Sequence, residues 1–217
     1  MAKAESAPTS SYKYPRGSQV MHPIPIETYA YSLEDIMIWR LLRDKGIQNP
    51  TYLEIGTNHP NSKNNTYLFY KYGATGVLIE PLPMWHEKIQ KIRPKDKLIK
   101  GGIGYNTDTI GIIKKKGKYG GSSYLTDIRW KDHPNCHTIQ LYNINDIIKE
   151  NFNPYPSFIS IDCEGNDLRI LQTLNHQNYP IPIICAETNK NIDITGYLKT
   201  KGYTKRYWSE QNTIYTL

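Results

Sequence analysis

Thr51-Tyr52-Leu53-Glu54-Ile55-Gly56-Thr57-Asn58 reads as a short strand that runs into a tight turn at Gly56. The same unit recurs downstream. Asn65 to Tyr72 is a helix candidate closed by Gly73, and Gly76-Val77-Leu78-Ile79-Glu80 is a second strand. Pro83 to Ile92 is a second helix, stopped before Pro94, and Lys97 to Lys100 is a third strand. Further on, Phe158-Ile159-Ser160-Ile161-Asp162 is a buried strand by its apolar content. A helix (Asp167 to Leu174), a strand (Ile181 to Glu187) and a helix (Thr195 to Lys201) follow it. Tyr203 to Trp208 and Thr213 to Leu217 are two last strands, joined by the polar turn Ser209-Glu210-Gln211-Asn212 as a hairpin. Alternating strands and helices predict an α/β domain whose parallel sheet is covered by helices.

Upstream, Ser32-Leu33-Glu34-Asp35 looks like a variant capping box, with Asp35 where Glu is usual. Apolar residues at Leu33, Ile36, Met37, Leu41 and Leu42 continue it as a helix that ends near Gly46. Residues 1–31 are rich in Ser, Pro, Tyr and Lys and lack periodicity, so they read as a flexible arm before one domain, 32–217. Between 101 and 137 the rhythm breaks. That stretch holds a strand (Thr109 to Ile113), a turn with Gly117, Gly120 and Gly121, and a loop around Trp130. A short helix, Ile144 to Asn151, comes next.

Composition narrows the function classes. A chain of 217 residues with 38% hydrophobic and 22% charged residues builds one sizeable core, and it is neither a disordered nor a membrane chain. No apolar run approaches the ~20 residues that span a bilayer. Met1 to Gln19 lacks the apolar centre of a signal peptide, so the expected location is cytoplasmic. Three cysteines, Cys136, Cys163 and Cys185, do not make a disulfide scaffold. His133, Cys136 and His137 cluster but lack a fourth ligand for zinc. The net charge of +7 admits an anionic partner, yet the lysines are scattered. The densest run, Lys114 to Lys116, reads as a solvated turn.

Open α/β sheets bind ligands at the carboxyl ends of their strands. Four strand ends here carry an acid: Glu54, Glu80, Asp162 and Glu187. Any one is ordinary, but four together mark a site that suits a cationic cofactor with a ribose. Gly56 lets the backbone approach a ligand, Glu80 can accept from two ribose hydroxyls, and Glu54 can face the cationic end. Positions 56, 58 and 61 are Gly, Asn and Asn, which does not match the glycine pattern of a dinucleotide site. No phosphate-binding Gly-x-x-x-x-Gly-Lys run is present either.

Three segments resemble the FkbM family of S-adenosylmethionine-dependent methyltransferases. Glu54-Ile55-Gly56-Thr57-Asn58 is similar to the first methyltransferase motif, and Ile79-Glu80-Pro81-Leu82-Pro83 to the family's Glu-Pro-x-Pro segment. Ser160-Ile161-Asp162-Cys163-Glu164-Gly165-Asn166-Asp167, followed by Ile170-Leu171, is similar to its Ile-Asp-x-Glu-Gly signature. Pro60 stands where the first motif usually has a second glycine, and Ser160 where Lys is common. The resemblance covers roughly residues 50–188. It implies a Rossmann-like methyltransferase fold: a mostly parallel seven-stranded sheet with a C-terminal antiparallel hairpin and helices on both faces.

It also implies methyl transfer to an oxygen, often a sugar hydroxyl, by in-line displacement, which is a carbohydrate modification. S-adenosylmethionine would be held by Glu54, Gly56, Thr57, Asn58, Glu80 and Pro81. Asp162 is the first candidate for base or base-orienting group, and Glu164 the second. His59 and His86 are alternative bases. Some sugar methyltransferases use Mg2+, and an oxygen-rich cluster of Asp162, Glu164 and Glu187 would suit that ion, with Asp162 and Glu187 as candidate ligands. Tyr119, Tyr124 and Trp130 lie where an acceptor loop is expected. Two other readings carry weight. A nucleic-acid methyltransferase would use the basic charge, although no Asn-Pro-Pro-Tyr-like base-methylation motif is present. A cofactor-binding module without turnover would explain Pro60.

Overall fold

In the computed structural model of the chain, residues 27–105, 109–116, 124–126, 129, 131–188 and 192–217 are described. The elements run α1 (Glu34–Asp44), β1 (Thr51–Ile55), α2 (Tyr67–Lys71), β2 (Thr75–Glu80), α3 (Pro83–Ile92), β3 (Lys97–Lys100) and β4 (Gly102–Ile103). They continue β5 (Ile110–Lys114), β6 (Tyr124–Thr126), β7 (Cys136–Tyr142), α4 (Ile144–Asn151), β8 (Phe158–Ile161) and α5 (Asp167–Thr173). Last come β9 (Ile183–Glu187), α6 (Ile194–Thr200), β10 (Thr204–Trp208) and β11 (Asn212–Thr216). The main sheet has the order β10-β11-β9-β8-β1-β2-β3. The five strands from β9 to β3 are parallel, and β11 pairs antiparallel with both β9 and β10. This is the Rossmann-like methyltransferase arrangement. The strand order reverses between β1 and β8, the switch point of the sheet.

Two-residue alternation sends side chains to opposite faces. Tyr52, Leu78, Phe158, Ile183 and Cys185 face one way and pack with Ile38 and Leu42 of α1, Leu68 and Phe69 of α2, and Trp85 and Ile89 of α3. Leu53, Ile55, Ile79, Ile159, Ile161 and Ile184 face the other way. They pack with Ile147 and Ile148 of α4, Leu171 of α5 and Leu198 of α6. Each of these fully buried aliphatic side chains contributes roughly 1.5–3 kcal/mol. Among the described residues no helix is long and apolar enough to cross a membrane.

The structure departs from the sequence expectations in three places. Helix α1 starts at Glu34, after Leu33 in the left-handed region (φ 68°), and Ser32 does not cap it. The acids reach backwards instead. Glu34 accepts from the Ser32 amide, and Asp35 accepts from Thr28 Oγ1 and from the amides of Tyr29 and Ala30. Residues 28–30 of the expected arm are therefore bonded to the start of α1, while residues 1–26 lie outside the described residues. Helix α2 begins at Tyr67 rather than Asn65, because Asn64 Oδ1 accepts from the amides of Thr66 and Tyr67 and fixes the turn there. The third departure is a second sheet, β4-β7-β5-β6, which takes up parts of the stretch 101–137 and runs on through β7 to Tyr142. Its Ile113, Ile139 and Leu141 join the buried cluster that holds Leu82 and Trp85. Gly117, Tyr119, Gly120, Gly121 and Trp130 lie outside the described residues, as does the side chain of Tyr124.

Candidate active site

The strand register places the acids. Glu54 of β1 stands opposite Leu78 of β2 and Ser160 of β8, and Ser160 stands opposite Cys185 of β9. Two residues further along each strand, on the same face, Glu80, Gly56, Asp162 and Glu187 form a row across the switch point. Neighbouring strands lie ~4.8 Å apart, so the row brings three carboxylates around one glycine. The ladder reaches this far, because the Asp162 amide donates to the Ile55 carbonyl and the Gly56 amide to the Ile79 carbonyl. Gly56 has φ +85°, and the Asp162 carbonyl oxygen closes over it. The sequence explained that glycine by the approach of a ligand; here the approaching group is the chain's own backbone.

Two cleft lobes meet at this row and share Ile55, Gly56, Asn58 and Asp162. The first has about 710 Å³ of empty space, mouth included, and is mainly apolar. Ile79, Pro81, Leu82 and Ile103 line it, and Ile113 and Ile139 of the second sheet close it beside Glu80 and Glu164. The second, about 1550 Å³ on the same measure, is polar. Residues 57–59 and 62–65 of the loop, with Trp85, Lys88, Ser160, Gln211 and Asn212, line it.

Each acid is held differently. Glu80 is buried, and its two oxygens accept from the Asn58 amide (2.6 Å) and the Leu82 amide (2.7 Å). Burial pushes its carboxyl up to about 7, against those two hydrogen bonds. Asn58 donates from the left-handed region (φ 50°), and Thr57 is tied to the Ile79 carbonyl by its amide and hydroxyl. Asp162 opens into the cleft, yet the protein around it raises its pKa by desolvation, and the Glu164 amide offsets part of that rise. Glu164, at φ 50°, and Gly165, at φ 90°, form the turn above the row. The Glu164 carboxyl is pushed to about 7 by burial first, then by the charges of Asp162, Glu187 and Asp167. Glu187 is likewise raised to about 7, by burial and then Asp162, and its Oε2 is buried without a hydrogen-bond partner.

Glu54 lines the polar lobe one row below Gly56, and its carboxylate is held by the chain's own side chains. Its Oε1 accepts from Asn64 Nδ2 (2.8 Å), and its Oε2 accepts from Thr66 Oγ1 (3.0 Å) and Arg93 Nη1 (3.1 Å), all buried. Its charge is engaged by Arg93, which also reaches the Pro60 carbonyl and Asp96. Arg93 carries no local sequence signal for this role, because a cation at a helix end ordinarily complements the helix dipole. His59 is also committed: Lys88 donates to its Nε2, and burial first, then the Lys88 charge, keep its pKa low. His86 Nε2 lies 2.8 Å from the Glu80 carbonyl.

Asp162 and Glu187, the candidate metal ligands, each lie near a backbone N–H of the 164–165 turn, which lowers the carboxyl pKa against the effect of burial. Among the described residues no three His, Cys, Asp or Glu side chains are grouped to hold a metal ion. The rim offers acceptors and negative charge. That fits a ligand bringing donors and positive charge, such as a nucleoside with free hydroxyls, an amine and a sulfonium.

The raised carboxyls carry a stability consequence. Unfolded Glu187 ionises near 4.5 and folded Glu187 near 7, so between those values the folded chain binds more protons. This group therefore takes stability away as pH rises through that window. Glu187→Gln is expected to gain on the wild type from about pH 4.5 to about pH 7 and to hold a constant advantage above. Thermal melts across that range check it, and a pH-independent offset between the two proteins would contradict it.

A family model described as the methyltransferase FkbM domain matches residues 54–203, more than half of the chain. A solved structure described as "a putative caffeoyl-CoA O-methyltransferase from Staphylococcus aureus" is similar at 13% identity. It has a TM-score of 0.48 and covers 89% of this chain and 85% of that one. No curated protein matches. The matched span runs from Glu54 through Glu80 and Asp162 to Tyr203, and so contains the whole acidic row. The chain belongs to the FkbM methyltransferase domain family and is an S-adenosylmethionine-dependent methyltransferase.

Proposed function

We propose that the enzyme methylates a sugar hydroxyl, with the cofactor's nucleoside in the apolar lobe and the acceptor in the polar one. The observation that supports this is the shared boundary: Gly56, Asn58 and Asp162 line both lobes, so a group passed between them crosses at Asp162. S-adenosylmethionine supplies an electrophilic methyl on a sulfonium. The chain supplies position and charge. Glu80, fixed by two amides, has lone pairs left for the ribose hydroxyls, and Pro81, Leu82 and Ile103 offer apolar walls to the base. Thr57 and Asn58 form the turn against the methionine end. Glu54 supports that turn through Asn64, Thr66 and Arg93 rather than touching the cofactor. Asp162 accepts, or orients, the proton leaving the acceptor hydroxyl, and its raised pKa suits a base. Glu164 is the second candidate for that role. Asn65, Gln211 and Asn212 provide amides for other hydroxyls, and Tyr31 and Trp85 provide ring faces.

Two variants separate the roles. Glu80→Ala is expected to weaken S-adenosylhomocysteine binding roughly 10- to 100-fold by calorimetry, the loss of one or two hydrogen bonds to a charged acceptor. Asp162→Asn is expected to bind it like the wild type while losing about 100-fold in kcat on a saccharide acceptor that the wild type methylates. Equal cofactor affinity in Glu80→Ala and wild type would remove the ribose assignment. Undiminished turnover in Asp162→Asn would remove the base.

A further inference from the structure

We infer that the polar lobe takes an anionic saccharide, whose carboxylate or phosphate is met by Lys63 and Lys88. This rests on the assignment of the acceptor to that lobe. The charged residues lining the lobe are Glu54, Lys63, Lys88 and Asp162. Glu54 lies buried against Arg93 at 3.1 Å, and Asp162 stands at the boundary where the methyl crosses. The loop and the α3 wall are left with two ammonium groups and no carboxylate among the described lining residues. His59 adds no charge of its own, because Lys88 donates to its Nε2.

The placement of the two lysines is specific. Lys63 sits at φ 55°, a left-handed backbone that favours Gly or Asn rather than Lys. The next amide, Asn64 N–H, is pinned to the Tyr29 carbonyl at 2.9 Å, so arm and loop together fix the turn. From there the Lys63 ammonium lies 4.8 Å from the centre of the Tyr31 ring. Lys88 projects from α3, with its ammonium 5.5 Å from the centre of the Trp85 ring. Each ammonium thus accompanies an aromatic side chain that lines the lobe, with Asn65, Gln211 and Asn212 alongside. Ring faces suit the C–H face of a sugar, amides suit its hydroxyls, and paired ammonium groups suit an anionic substituent. The cofactor's own carboxylate would need one such group, whereas this lobe carries two and has more than twice the empty space of the first.

The test uses the full chain saturated with S-adenosylhomocysteine and titrated with glucuronate, glucose 6-phosphate and glucose. At least one anion is expected to bind about tenfold or more tightly than glucose, and less tightly as salt rises. The tighter of the two anions tells carboxylate from phosphate. Lys63→Gln and Lys88→Gln are each expected to weaken the anion about tenfold while leaving glucose and S-adenosylhomocysteine binding unchanged. Equal binding of all three sugars, binding of none, or anion affinity unmoved in both variants overturns the inference. Loss of S-adenosylhomocysteine affinity in either variant also overturns it, by assigning the lysines to the cofactor. Cofactor binding is read before any sugar is added, so a failure of the nucleoside assignment, with wild type and Glu80→Ala alike, is seen separately and removes both readings.

Discussion

Gly56→Ala is expected to lose about 2–5 kcal/mol of stability, together with cofactor binding. Two costs combine. The residue sits at φ +85°, where an L side chain crowds its own backbone. The added Cβ would also lie 2.0 Å from the Asp162 carbonyl oxygen and 3.1 Å from its carbon. Those are backbone atoms, and they cannot step aside alone, because the Asp162 amide is in the ladder with the Ile55 carbonyl. Making room means pulling the end of β8 away from β1 at the switch point, and Asp162 leaves the row with it. Gly73→Ala is the control. It has a similar φ of +94° but nothing within 4 Å of its added Cβ, so it should cost only about 1 kcal/mol. Denaturant melts of the two variants separate backbone strain from collision. Equal losses would mean that the close approach of Asp162 to Gly56 is wrong.

That comparison also shows what the sequence could and could not disclose. Each acid of the row could be located from the chain alone, because a run such as Phe158–Ile161 ends visibly in Asp162 and parallel strands end on a common rim. What holds each acid could not be. Glu54 and Glu80 look alike in sequence, each an acid in or ending an apolar strand. Two residues along the strand, one row on the same face, make the difference: Glu80 falls level with Gly56, and Glu54 falls one row lower, under the 57–66 loop and against Arg93. Arg93 is 39 residues from Glu54, and no local pattern links them. The second sheet is a different kind of omission. His137-Thr138-Ile139-Gln140-Leu141-Tyr142 alternates with period two, and Ile139 and Leu141 are buried while Thr138, Gln140 and Tyr142 are exposed. The signal was present but stood beside His133 and Cys136, whose metal-like spacing competes with it. Helix α1 shows the reverse: a capping pattern was present, but its acids bond residues 28–30 and 32 instead of closing the helix.

Arg93→Met is expected to cost about 3–5 kcal/mol, the usual loss when one member of a buried charge cluster is removed. Arg93 is 1% exposed. Its Nε donates to Asp96 (2.7 Å), its Nη1 to Glu54 (3.1 Å) and Asn64 (3.2 Å), and its Nη2 to Thr66 Oγ1 (2.8 Å). Methionine fills similar volume but leaves two buried carboxylates without the cation they share. Asp96 retains the Tyr52 hydroxyl and the Gly76 amide, and Glu54 retains Asn64 and Thr66, so the strain falls on their shared charge. Burial already raises the Glu54 pKa, and the Arg93 cation is what opposes that rise. Without it Glu54 takes up a proton more readily, so the cost of Arg93→Met should shrink as pH falls and grow as it rises. Adding Glu54→Gln should recover a substantial part of the loss, because the second charge is then gone. Cofactor affinity should move with stability, since the same loop from His59 to Thr66 lines the polar lobe and carries Asn58 to Glu80. If the double variant proves no more stable than Arg93→Met at any pH, the guanidinium acts by packing between Tyr52 and Tyr70 rather than by neutralising charge, and Glu54 does not depend on Arg93 as its counter-ion.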